Sequence, residues 1–365
     1  MGNTISIELK KKCVELKKAG MPVRQIYNEY FAPEFEEPTA YETFKRELRG
    51  WKAKIFPDSA TLNGGTYEGF TAHGATVQVA ANGEIVQAWI KQHKDGAFDV
   101  ESFLEALRDK VEPHKYPRDP VDFQLSSPTM LEIPLFDMHW GISYLDYYES
   151  VLNEILSIIK GNAWDKIVIP FGQDFFHNDS IVSGITSKGT SIEKVDMERA
   201  VRDGQTFMYA IIDAAIENSN TTEVLYTPGN HDRSISWMFI QVLKERYGSH
   251  IVDDSIDYRK ATVYGKNTIM FTHGDSKQAT AKNLAHVFPI SFPEEFANAN
   301  VREVHAGHLH REGAADIYGI MVRRLSSGSI TNEWANREDY VGSHKRFMLF
   351  EWDPEKLKSI HYIYT

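Results

Sequence analysis

The sequence predicts an α/β protein, and two observations carry that prediction. From about residue 130 onward, short apolar segments alternate with longer stretches of helical character. Those short segments, LEIPLF, KIVIPF, EVLYTP, NTIMFT and VREVH, each run directly into a cluster of Gly, Asp, Asn or His. Strands that end in polar clusters, with helices between them, are the pattern of a layered fold whose loops meet at one edge of a sheet.

The elements read as follows in chain order. Residues 6–19 (SIELKKKCVELKKA) form an amphipathic helix in which Ile7, Leu9, Cys13, Val14, Leu16 and Ala19 share the apolar face and lysines cover the other. Gly20 stops it, and Pro22 opens a second helix through VRQIYNEYF that Pro33 and Pro38 close. A third helix begins near Thr39 and places Lys45, Arg46, Arg49 and Lys52 along one side. Residues 1–56 are therefore expected to be a helix-turn-helix-like domain of three helices. Residues 57–120 are a small connector: ATVQVAANGEIVQAWI alternates about Asn82-Gly83, a β-hairpin signal, and Asp99 caps the helix VESFLEALRDKV. The proline-rich PHKYPRDPVD marks a boundary near residue 120, and the α/β body is expected over 121–365. Within it, DMERAVRDGQTFMYAIIDAAIENS reads as one long helix.

Composition narrows the class. The 365 residues, 42% hydrophobic and 25% charged, suit a folded protein of two or three domains. No apolar run is long enough to span a membrane, and the start MGNTISIELKKK lacks the apolar core of a signal peptide. Gly2 and Ser6 fit an N-myristoylation pattern, a match short enough to arise by chance. A single cysteine, Cys13, rules out an internal disulfide framework, so the expected compartment is the cytoplasm of a bacterium or of a phage-infected host. The net charge is −11, yet residues 1–56 carry +3 and the remainder −14. An acidic body with a basic N-terminal module suits a metal enzyme joined to a DNA-binding element.

Five polar clusters follow the five strands: Asp137-Met-His139, Gly172-Gln-Asp174-Phe-Phe-His177-Asn-Asp179, Gly229-Asn230-His231-Asp232, His273-Gly274-Asp275 and Gly307-His308-Leu-His310. Two divalent cations a few ångströms apart need a bridging carboxylate and several neutral N or O ligands, and this set supplies them. His-X-His lets alternate residues address different ions. Mixed His, Asn and carboxylate donors suit Mn²⁺, Fe or Zn²⁺ better than Mg²⁺, with Mn²⁺ the expected ion. No Walker-type phosphate loop, cysteine-based zinc site or nucleophile-elbow serine is present.

In this order the clusters resemble the calcineurin-like metallophosphoesterase superfamily. The match covers roughly residues 130–312. The stretch TSKGTSIEKVDMERAVRDG and the tail YVGSHKRFMLFEWD further resemble bacteriophage-borne members, and Asp174-Phe-Phe-His177 is similar to the second motif of the superfamily's double-strand-break repair nucleases. The resemblance implies a sandwich of two β-sheets flanked by helices. It implies one metal held by Asp137, His139, Asp174 and His310, and a second held by Asp174, Asn230, His273 and His308, with Asp174 bridging. His231 would stand off the metals and hydrogen-bond the phosphate or protonate the leaving oxygen, oriented by Asp232. Two departures stand out: Gln173 separates Gly172 from Asp174, leaving Asp179 as an alternative, and only 55 residues follow His310, too few for those nucleases' capping domain.

Secondary candidates for substrate contact are His177, Asp179 and the polar loop Ser187-Lys188-Gly189-Thr190. Trp334, Tyr340 and His344 offer stacking or hydrogen bonds from the C-terminal segment. The expected activity is two-metal hydrolysis of phosphodiesters, with DNA as substrate bound through residues 1–56. The alternatives are a phosphatase or phosphodiesterase for a small nucleotide or phosphoprotein, and a nucleic-acid-binding protein with a vestigial site.

Overall fold

The computed structural model describes residues 5–34, 41–45, 48, 70–79, 85–94, 99–116, 122–330 and 344–365. The chain divides into two compact units, Met1–Phe103 and Leu104–Thr365. That division falls inside a helix, whereas the sequence reading drew its boundaries at 56 and 120. Residues 112–116 lie in the second unit. There His114 N–H donates to Arg246 O at 2.7 Å, and Tyr116 OH donates to Tyr247 O at 2.5 Å.

In the first unit, α1 (Ile7–Lys18) starts where the Ser6 hydroxyl accepts the Leu9 N–H at 3.2 Å, an N-cap that satisfies one free donor of the first turn. It buries Cys13 and Val14 as expected; Ala19 falls beyond the helix end and is exposed. The second helix is only partly regular, because α2 (Val23–Ile26) widens into a π turn over Tyr27–Phe31. The wider turn accompanies an aromatic cluster in which the Phe31 and Phe44 rings lie 4.4 Å apart. Residues 41–45 are helical, as the third helix requires, while Arg46, Arg49 and Lys52 lie outside the described residues. Strands β1 (Phe70–Val79) and β2 (Ile85–Lys94) pair antiparallel with Val79 opposite Ile85, so the hairpin forms about the expected Asn82-Gly83, itself outside the described residues. Asp99 caps α3 (Val100–Lys110), accepting the Glu101 N–H at 3.1 Å.

The second unit is four layers, helix–sheet–sheet–helix. The larger sheet has the order β13-β12-β3-β4-β5-β6, with β3 (Met130–Glu132), β4 (Trp164–Gly172), β5 (Ser219–Thr227) and β6 (Val252–Asp253) parallel. Strands β12 (Arg346–Trp352) and β13 (Leu357–Tyr364) complete it antiparallel. The other sheet has the order β10-β11-β9-β8-β7. Its centre is the parallel trio β8 (Asn267–Thr272), β9 (Val301–Ala306) and β11 (Ile320–Arg324), edged by β7 (Arg259–Tyr264) and β10 (Gly313–Ile317). All five strands expected from the sequence are present.

Alternation along the strands explains the layering, because successive side chains point to opposite faces. On β4, Ile167 and Ile169 face the helices α4 (Leu145–Lys160), α5 (Met197–Asn218) and α6 (Arg233–Tyr247), while Val168 faces the other sheet. On β12, Phe347 and Leu349 take the first side, and Met348, Phe350 and Trp352 the second. Ile269 and Phe271 of β8 meet them from the facing sheet, and Met270 turns outward toward α7 (Ala281–Ser291). Helix α8 (Pro293–Asn298) follows directly. The expected α/β sandwich of two sheets flanked by helices is what the chain forms.

A buried polar network crosses between the sheets. His305 of β9 places Nδ1 2.5 Å from Glu132 of β3 and Nε2 3.0 Å from Glu303. Trp352 Nε1 donates to the other oxygen of Glu132, and Arg323 forks onto Glu303. Burial alone would lower the His305 pKa, but the charge of Glu132, its hydrogen bond and Glu303 outweigh it and raise the value to about 9. Between the ordinary histidine value of about 6.5 and that value the folded chain holds a proton the unfolded chain lacks. This contribution to stability is complete below pH ~6.5 and disappears as pH rises through about 9. Thermal melts should therefore show Tm falling from pH 7 to 9.5, and His305→Gln should flatten that slope while lowering stability at pH 7.

Candidate metal centre

Three of the polar clusters converge because β3, β4 and β5 are parallel neighbours in the larger sheet, and the other two because β8 and β9 are parallel neighbours in the smaller one. The turns of the larger sheet continue its pairing for a few residues. Asp137 N–H donates to Gln173 O at 3.0 Å, His139 N–H to Asp174 O at 3.1 Å, and Gln173 N–H to Thr227 O at 2.9 Å. The cost is backbone conformation. Among the described residues, the non-glycine positions with positive φ are Asp137, His139, Gln173, Asp174, His308, His310 and Tyr318. All but Tyr318 belong to these turns, and each costs roughly 1–3 kcal/mol. Gln173, which separates Gly172 from Asp174, takes φ 53° and lets the turn place Asp174.

Two groups of side chains result. In the first, His310 Nε2 is 3.1 Å from His139 Nε2 and 3.4 Å from Asp137 Oδ1. In the second, His273 Nε2 is 3.0 Å from Asp174 Oδ2 and 2.9 Å from Asn230 Oδ1, with His308 within the same cluster. The two groups adjoin, since His273 Nδ1 lies 4.0 Å from Asp137 Oδ1. Asp137, His139, Asp174 and His273 are buried; Asn230, His231, His308 and His310 are half-buried and form the open side.

One device sets both carboxylates. Asp174 Oδ1 accepts the His231 N–H at 2.7 Å, and Asp137 Oδ2 accepts the His308 N–H at 2.8 Å. Each backbone donor fixes one oxygen and leaves its partner toward the imidazoles. Glycine in the GNHD and GHXH motifs has its reason here: a Cβ at Gly229 would overlap Asp174 Oδ1, and one at Gly307 would overlap Asp137 Oδ2. Ser327, which the sequence reading passed over, adds a hydroxyl donor to Asp137 O at 2.7 Å. It sits in a serine-rich turn with no motif to mark it.

The electrostatics prepare a cation's ligands. Burial would raise the Asp174 carboxyl, but His273, His231 and His139 hold it well below the carboxylate range. Burial, then the nearby His231 and His310, hold His139 well below the imidazole range, and burial with His273 lowers His308. Both are thus neutral at pH 7, with lone pairs to give. For His273, burial is outweighed by Asp174 and Asp137, and its pKa rises to about 9.

The donor set fits divalent cations. Ligand bonds of about 2.0–2.2 Å at angles of 90–109° put neighbouring donor atoms about 2.8–3.6 Å apart, the range of the separations above. Asp137 Oδ1 is buried with no hydrogen-bond donor among the described residues, as are the Nδ1 atoms of His139 and His273. An unpaired buried carboxylate oxygen is costly unless a cation satisfies it.

Other expected residues have different placements. His231 is held through Nδ1 by the His177 carbonyl at 2.9 Å, not by Asp232. The Asp232 carboxylate turns back to accept the Phe176 N–H at 2.8 Å, and burial, then the charge of Asp174, raises it well above the usual range. His177, a candidate substrate contact, lies beneath the open side. Its ring is buried, 5.2 Å from that of His231 and 5.5 Å from that of His139, and burial lowers its pKa to about 3. Asp179 caps α6, accepting Ser234 N–H at 2.6 Å and Ile235 N–H at 3.0 Å, so it does not replace Asp174. Lys188 pairs with Asp275 at 2.6 Å. Thr190 is exposed and donates its N–H to Thr186 Oγ1, while Gly189 N–H returns to Thr186 O and Ser187 N–H to His231 O. Trp334 and Tyr340 lie outside the described residues, and His344 stands against Tyr364.

No protein-family model matches the chain, and no curated protein does. Among solved structures, a conserved uncharacterized protein of Streptococcus pneumoniae, described as a predicted phosphoesterase, is 13% identical over 66% of this chain and 91% of its own, with a TM-score of 0.29. An archaeal phosphodiesterase is 12% identical over 65% and 99%, at 0.33. Vps29 of Entamoeba histolytica complexed with Zn²⁺ is 11% identical over 65% and 98%, at 0.29. Similarities this distant bear on neither activity nor ligands.

Two outcomes are expected in calorimetry with Mn²⁺. Gly229→Ala or Gly307→Ala displaces a carboxylate and weakens binding about 10–100-fold, as removing a ligand's supporting partners does, with the fold retained by circular dichroism. Because a cation must displace the proton on His273, affinity should rise with pH until about 9, with proton release visible as a buffer-dependent heat.

Proposed function

We propose that the chain is a calcineurin-like metallophosphoesterase that hydrolyses phosphodiesters with two divalent cations, and that nucleic acid is its substrate. The observation that carries this is the pair of adjoining donor groups, Asp137–His139–His310 and Asp174–Asn230–His273–His308, beside a histidine that is not part of either. In this reading Asp174 would serve as a ligand to both ions, and Mn²⁺ is the expected ion. When bound, the cations supply positive charge to the phosphoryl oxygens and acidify an attacking water.

The chain's own residues do the rest. A carbonyl can only accept, so His231 Nδ1 carries the hydrogen toward His177 O and the exchangeable proton belongs to Nε2. His231, half-buried at the open side, gives that proton to the departing oxygen. Ser187 N–H and the His177 carbonyl hold its backbone and ring, so the imidazole arrives already oriented. Gln or Ala at position 231 should lower kcat about 10²–10⁴-fold with Mn²⁺ binding unchanged, whereas Asp174→Asn should abolish both.

Support for nucleic acid is the +3 charge of residues 1–56, whose helical core is in place. The −14 of the remainder favours a second reading, hydrolysis of a small nucleotide or phosphoprotein. Chelated protein restored with Mn²⁺ decides between them. The proposal expects turnover of a phosphodiester model substrate and of labelled single- or double-stranded DNA. Turnover of monoesters alone supports the second reading, and no turnover with metal bound contradicts both. Replacing Lys45, Arg46, Arg49 and Lys52 with Gln should weaken DNA binding and reduce its salt slope by about 0.9 for each phosphate that is no longer neutralised; an unchanged slope would remove the reader role.

A further inference from the structure

The smaller sheet sends one cationic side chain under the site. Arg324 ends β11, in parallel register with Ala306 at the end of β9, and the next residue's N–H bonds Ala306 O at 2.8 Å. Its guanidinium makes no ion pair among the described residues and spends its donors on carbonyl oxygens. Nη1 donates to Gly307 O at 3.1 Å and to Gly274 O at 3.4 Å, and Nη2 to Ala279 O. Gly274 directly follows His273, and Gly307 directly precedes His308. The packing is close: a Cβ at Gly274 would overlap the guanidinium.

We propose that Arg324 is a positioning residue for the second cation. One planar fork joins the two loops that carry the imidazoles of the Asp174–Asn230–His273–His308 group, so it sets the separation between them. This rests on reading that group as a metal site. A guanidinium is suited to the task because its donors point in fixed directions and it stays charged; a lysine carries three rotatable donors on a flexible stem and fixes no separation. Removing the fork takes a donor from three carbonyls, of which Gly307 O keeps the Leu309 N–H at 2.9 Å, and frees the loops to part. The first group has anchors outside those two loops, Asp137 N–H on Gln173 O and His139 N–H on Asp174 O, so it should feel the loss less.

The test uses the full chain, Mn²⁺ alone as probe, and two variants, Arg324→Gln and Arg324→Lys. Stoichiometry comes from equilibrium dialysis, and electron paramagnetic resonance separates a spin-coupled pair from an isolated ion. The wild type should bind two Mn²⁺ per chain and show the coupled spectrum. Arg324→Gln should keep one tight ion with an isolated-ion spectrum and bind the other about 10–100-fold more weakly, and Arg324→Lys should fall between. Two ions at wild-type affinity with a coupled spectrum in either variant would overturn the proposal, and so would equal loss of both ions. Should Arg324→Gln fail to fold, Arg324→Lys alone decides by the same criteria. A wild type that binds no pair of ions would instead sink the metal reading itself.

Discussion

Two backbone N–H groups, those of His231 and His308, each grip one oxygen of a strand-end carboxylate, and the geometry of the site depends on that grip. An aspartate at the end of a strand is ordinarily free to rotate and to be solvated. Held by one oxygen, it presents the other in a fixed direction at no further entropic cost when a ligand arrives. The donor to Asp174 comes from the loop after the neighbouring strand β5 and the donor to Asp137 from the loop after β9 of the other sheet, so each carboxylate is positioned by a different strand from the one that carries it. This is why the strands must be parallel within each sheet, and the two sheets aligned with each other, for the site to exist.

The fold supplies that register at some expense. The turns after β3, β4 and β9 hold non-glycine residues in left-handed conformations, and they persist because the surrounding hydrogen bonds over-determine them. Below them, apolar side chains lock the larger sheet to its helices and the two sheets to each other. The charged bridge from Glu132 through His305 to Glu303 ties the sheets at one point where apolar packing alone would leave their relative shift less defined. Buried ionic links of this kind are weak sources of stability and better understood as setting alignment. His305 lies two residues before Gly307, so alignment there is passed directly to the loop that grips Asp137.

Much of this was legible in the sequence. Apolar segments ending in Gly, Asp, Asn or His located the five strands and the seven ligand candidates, because both the period of the strands and the chemistry of the clusters are local. The hairpin and the Asp99 cap were legible for the same reason. What was not legible depends on contacts between distant residues. Nothing in its neighbourhood marks Asp179 as the cap of a helix that starts at Arg233, or Ser327 as a donor to Asp137 O. The resemblance implied Asp232 as the partner of His231, but that carboxylate faces the Phe176 N–H and a main-chain carbonyl does the orienting. The π turn at Tyr27–Phe31 was missed because helical periodicity does not distinguish one extra residue per turn from an ordinary helix.

A catalytic reading thus reduces to whether the two donor groups hold a pair of ions at once. Anomalous diffraction from crystals grown with Mn²⁺ examines this without any assumption about substrate. Two peaks about 3.5–4 Å apart are predicted, one contacted by Asp137, His139 and His310, the other by Asn230, His273 and His308, with Asp174 reaching both. A single peak, or ions seated away from Asp174, would contradict a two-metal site.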